Sequence, residues 1–118
     1  MQVIKINESE LEKNNSNLFI GGNVSNQSLI GELEGKDFIA KNVHFNAGAK
    51  TKLHTHSNDQ LLIVTGGKGL VGNEKEEVTV DQGTVIIFPA GEKHFHGATE
   101  DSEFWHIYVI KQGTKTEW

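Results

Sequence analysis

A chain of 118 residues with a net charge of −5 and no cysteine has the length of one domain. It can bury a single core without staples, has no disulfide framework or thiolate site, and is a poor match for nucleic acid. All 11 basic residues are Lys, and without the bidentate fork of Arg a carboxylate or phosphate ligand is disfavoured.

Read in chain order, Met1–Ile6 lacks the apolar region of a signal peptide, and no stretch approaches membrane-span length. The expected address is the cytoplasm, with no membrane partner. Val3–Ile6 alternates and reads as a strand, and Ser9–Asn14 is a short helix candidate. Asn14-Asn15-Ser16-Asn17, Gly21-Gly22-Asn23 and Gly35-Lys36-Asp37 are turns. Asp37–Phe45 is a strand with Ile39, Val43 and Phe45 on one face. Lys41 shares that face, so it points into the interior, unless the strand has two covered faces or Lys41 snorkels out at the rim. His44, with Asn42 on the other face, is read as surface. Strands follow at Gln60–Thr65, Gly69–Gly72, Glu77–Val80, Thr84–Phe88 and Phe104–Ile110, and Gly66-Gly67-Lys68-Gly69 reads as a hairpin turn. Many short strands between Gly-rich or charged turns predict an all-β double-sheet jelly roll, one domain over residues 1–118.

The chemistry concentrates in the histidines. His54 and His56 stand two apart and share a face if that segment is a strand, and Gln60 has the same parity. His94 follows the turn Pro89-Ala90-Gly91. Three imidazoles and an amide oxygen make a neutral donor set for one divalent metal, small-molecule chemistry rather than a macromolecular interface. His96 has the parity of His94. His106 shares parity with Phe104 and Tyr108, so it is either a cavity base against aromatic walls or a core histidine. Glu92 reads as a solvated turn charge, and Lys93 as a cation near the cavity mouth.

Gly48, His54-Thr-His56, Gln60 and Gly67 resemble the first cupin motif, about residues 48–67, with Gln60 in place of the usual Glu. Gly83, Pro89-Ala90-Gly91 and His94 resemble the second, about residues 83–98, with Ala98 in place of the usual Asn. The wording from Phe19 to Ile110 is similar to small single-domain cupins related to bacterial hydroxynitrile lyases. The resemblance implies a cupin double-stranded β-helix barrel that binds metal through His54, His56, Gln60 and His94. Manganese is the first expectation, with iron, zinc or nickel as alternatives. It also implies a lyase acting on small hydroxy or carbonyl compounds, such as cyanohydrins, with His106, His96 and Lys41 as catalytic candidates. Two alternatives stay open: a metal-dependent cupin dioxygenase, and a cupin that binds metal or a small molecule without catalysis. Leu61-Leu62-Ile63-Val64 is apolar on both faces, and together with the resemblance this predicts a homodimer.

Overall fold

The structure is a computed structural model describing residues 1–118, and it is built almost entirely of strands. In chain order these are β1 (Glu12–Lys13), β2 (Phe19–Ile20), β3 (Val24–Ile30), β4 (Phe38–Phe45), β5 (Lys50–Thr51), β6 (Thr55–His56), β7 (Gln60–Asn73), β8 (Glu77–Asp81), β9 (Val85–Phe88), β10 (His94–Ala98), β11 (Phe104–Lys111) and β12 (Thr116–Glu117). Neighbours pair antiparallel. One half of the curled sheet runs β1-β3-β4-β11-β7-β9 and the other β8-β7-β10-β5-β2, so β7 belongs to both. This is the expected all-β jelly-roll barrel. No helix is long and apolar enough to cross a membrane.

The long β7 corrects the sequence reading of a hairpin turn at Gly66-Gly67-Lys68-Gly69. The chain does not reverse there but continues through a β-bulge. Trp105 pairs with Gly66 and His106 with Val64, leaving Thr65 as the extra residue. A bulge shifts the pleat by one residue. Before it the buried residues are Gln60, Leu62 and Val64; after it they are Gly69, Val71 and Gly72. Gly67 sits in the left-handed region at φ +69°, where a Cβ would lie 1.9 Å from the Glu103 carbonyl oxygen. Gly69 lies under the Phe104 ring, which a Cβ would meet at 2.5 Å.

Two N-terminal expectations fail. Val3–Ile6 is exposed and pairs with no strand, and Ser9–Asn14 holds only the end of a 3-10 turn, Glu8–Glu10, and then β1. Alternation without a partner edge does not make a strand, and six residues are too few to nucleate a helix. The core lies between the halves of the sheet, with Phe45, Phe104, Leu62 and Val64 essentially inaccessible. Burying each such side chain contributes roughly 1.5–3 kcal/mol of transfer free energy.

Candidate metal centre

His54, just ahead of β6, and His94, which opens β10, are joined directly through their backbones. Each amide donates to the other's carbonyl at 3.0 Å. His56 ends β6 two residues on, and Gln60 opens β7. All four side chains are buried. The ligating atoms of His54, His56 and His94 lie within 4.8 Å of one another.

The second ring nitrogen of each histidine fixes what the first can do. His54 Nδ1 donates to the Lys52 carbonyl at 2.8 Å, and His94 Nδ1 donates to the Glu92 carbonyl at 2.9 Å. A carbonyl only accepts, so both protons sit on Nδ1 and both Nε2 atoms carry a lone pair. His56 Nδ1 is 2.8 Å from the Thr116 hydroxyl. Three buried polar atoms in this cluster have no protein partner: Nε2 of His56, Nε2 of His94 and Oε1 of Gln60, of which the last two are acceptors. Buried acceptors left unpaired are costly unless something else satisfies them. A divalent cation does so, and the neutral donor set of three imidazoles and one amide oxygen fits one. Burial lowers all three imidazole pKa values, that of His56 to about 4 and of His94 to about 3, with neighbouring imidazoles adding to the shift at both and the carbonyl hydrogen bonds of His54 and His94 opposing it at those two. The three imidazoles are therefore deprotonated at neutral pH, as holding a metal would require.

The cluster opens on a cavity of about 200 Å³. Ile39, Val43, Phe45 and Phe19 supply apolar wall, and Asn26, Glu32 and Lys41 are among its polar lining. Lys41 is half-buried and also lines a more open groove beside the N-terminal segment, on a strand covered on both faces. It forms no ion pair. His96 and His106 lie deeper, with ring centroids 5.0 Å apart. Neither nitrogen of His106 and not Nδ1 of His96 has a partner. Burial lowers the pKa of His106 to about 3 and that of His96 well below its ordinary value, the neighbouring imidazoles adding to the shift at His96. Tyr108, beside His106, is pushed up to about 12 by burial and by Glu32.

Other candidates fall outside. Lys93 is exposed and 3.9 Å from Glu74, so it does not reach the cavity mouth. Glu92 receives a hydrogen bond from Asn73, and only its carbonyl serves the site, through His94. His44 is on the outer face as expected, bonded to Glu103 at 2.8 Å and packed on Trp105. Thr51 and Thr116 were missing from the sequence reading. Thr51 lines the cavity and accepts from the His96 amide at 3.1 Å. Lone threonines carry no spacing signal that marks such roles.

Comparison with known proteins agrees with this geometry. A model of the Cupin domain matches residues 41–110. A (R)-mandelonitrile lyase from Granulicella tundricola is 38% identical over 79 residues, which cover 64% of this chain. The match spans 60% of that lyase's length. Among solved structures, a cupin-like protein from Thermotoga maritima superposes with a TM-score of 0.84 at 34% identity, covering 90% of this chain and 82% of that one. A polyketide cyclase from Streptomyces resistomycificus superposes at 0.78 with 14% identity, over 99% of this chain and 87% of its own, a likeness of fold alone.

Proposed function

The chain belongs to the cupin family, and from that premise we propose that it is a metal-dependent lyase for small hydroxy or carbonyl compounds, cleaving cyanohydrins to aldehyde and cyanide or running the reverse. One observation carries the reading: the His54, His56 and His94 cluster, with Gln60 beside it, meets a small cavity lined by His54, His56 and Gln60 that also holds two uncommitted neutral imidazoles. The similarity to a mandelonitrile lyase supports the choice of reaction.

His54, His56, Gln60 and His94 would hold the cation, manganese by first preference. When bound, it supplies Lewis acidity toward the substrate's hydroxyl or carbonyl oxygen. The remaining work falls to the chain. Val43, Phe45 and Ile39 seat the apolar substituent and exclude water. A free nitrogen of His106 takes the hydroxyl proton, with His96 as the competing base. With a pKa near 3 this imidazole is always available but weakly basic, so it suits a hydroxyl that is acidified on binding. The carbon–carbon bond then breaks, its electron pair departs with cyanide, and the hydroxyl oxygen becomes the aldehyde carbonyl. The Lys41 ammonium stabilises the departing anion, which leaves as hydrogen cyanide once it takes up a proton. A second copy of this chain is the partner we assign to the outer face.

The test is metal analysis of purified protein followed by assay of cyanide release from mandelonitrile, with and without dioxygen. Stoichiometric metal and oxygen-independent release are expected. Absence of release from every small cyanohydrin ends the lyase reading, and oxygen consumption on turnover transfers it to dioxygenase chemistry.

A further inference from the structure

The three imidazoles are not held alike. His54 and His94 each donate Nδ1–H to a main-chain carbonyl two residues earlier in their own segment. Any side chain at Lys52 or Glu92 would leave those bonds in place. His56 has no such carbonyl. Its Nδ1 meets the hydroxyl of Thr116 at 2.8 Å, from the far end of the chain. Thr116 stands directly across from His56 in the β6–β12 pair. That pair is tied further by Ser57 N–H to the Lys115 carbonyl at 2.9 Å, by Lys115 N–H to the Ser57 hydroxyl at 2.8 Å, and by the Asn58 amide to the Thr114 hydroxyl at 3.1 Å. Thr114 and Thr116 both line the cavity.

A hydroxyl differs from a carbonyl in one decisive respect: it can accept from Nδ1–H or donate to a bare Nδ1. Only the first arrangement leaves a lone pair on Nε2, the buried and unpartnered atom that faces the other ligands. Without the hydroxyl, His56 Nδ1 has no hydrogen-bond partner to select that tautomer, although the rings of His54 and His94 still pack against it.

We propose that Thr116 is a positioning residue for the metal centre, accepting the Nδ1 proton of His56 and so turning its Nε2 lone pair toward the cation, which makes the affinity of the site depend on the C-terminal strand. The proposal rests on reading His54, His56, Gln60 and His94 as a metal site. It assigns Thr116 no contact with substrate.

The experiment titrates metal-stripped protein with Mn(II), followed by the free-ion spin-resonance signal, and with Zn(II) against a chromophoric chelator. Wild type is compared with Thr116→Val, which keeps the branched side chain and removes the hydroxyl, and with Thr116→Ser, which restores it. Thr116→Val should weaken binding about 10- to 100-fold, the usual scale for losing such a supporting hydrogen bond, and Thr116→Ser should recover most of it. Imidazole nitrogen NMR of the metal-free proteins provides the second readout. His56 should be the Nδ1–H tautomer in wild type and Thr116→Ser and a mixture in Thr116→Val, with His54 and His94 unchanged. If wild type and Thr116→Val bind equally, the proposal falls and the metal site stands. Equal weakening in both variants, with the His56 tautomer unmoved, reduces Thr116 to packing and also overturns it. Wild type that binds neither ion overturns the metal site and this proposal together.

Discussion

In the role proposed for it, His106 sets catalysis against stability. It is fully buried among Phe45, Phe104 and Tyr108 with both ring nitrogens unpartnered, a costly arrangement in a core. Replacing it with an apolar residue of similar size removes that cost. His106→Leu should therefore retain metal and keep or raise the melting temperature, while cyanohydrin turnover falls by ~10²-fold or more, the scale of a lost general base. Unchanged turnover with metal retained would reassign the base to His96. The same residue sets a pH dependence. Its pKa drops from 6.5 to about 3 on folding, so the unfolded chain takes up the proton first as the medium is acidified. Its contribution is complete above about pH 6.5 and is lost progressively between there and about pH 3. Thermal melts of metal-free protein from pH 7 to 4 should show a steeper decline for wild type than for His106→Leu. His94→Ala should strip the cation and, in metal-replete buffer, lower the melting temperature, because metal stabilises only the folded form.

At the level of elements, β7 decides where the two halves of the barrel meet, and its bulge depends on Gly67. Gly67→Ala should cost at least ~2 kcal/mol in urea unfolding, because both the backbone conformation and the Glu103 carbonyl exclude a Cβ. A cost within error of zero would mean that the bulge relaxes. This element also shows how the sequence can mislead. A run of glycines able to adopt positive φ serves a reversing turn or a bulge equally well, and only the pairing of β11 to both sides distinguishes them. Parity was a sound guide wherever one strand carries one buried face. It put Gln60 on β7 and His106 on β11 inward, but could not decide Lys41 on β4, which buries Ala40 and Asn42 on one face as well as Ile39, Val43 and Phe45 on the other. It had no purchase on β3, where Asn26 faces the cavity and Gln27 turns to the opposite side and bonds Asn7 and Lys5. Polar residues on both faces leave no alternation to read. Thr116 escaped notice for a different reason: its role exists only through a partner sixty residues away.

For the whole molecule, the outer face around β7 matters most. Leu61 and Ile63 pair with Ile87 and Val85 on one side and with Val109 and Ile107 on the other, making one continuous apolar surface. Val85 and Ile87 are 57% and 63% exposed. None of these six residues is charged, although the chain carries −5 overall, so two copies can meet here without opposing charges. A two-fold axis lets one patch cover its own twin. Light scattering at micromolar concentration should give a dimer, and Ile87→Lys a monomer that still binds metal. A monomeric wild type would remove the dimer.

The backbone bridge between His54 and His94 has a kinetic consequence. Two of the proposed metal ligands exchange main-chain hydrogen bonds with each other although they lie far apart in the chain, so their amide protons are locked by the meeting of two distant segments. Those protons can swap with solvent only when the segments part, an opening that draws on the stability of the barrel rather than on the ion. In deuterated buffer the amides of His54 and His94 should be among the slowest to exchange, and chelator should barely hasten them. The scaffold of the site would then be standing before any metal arrives.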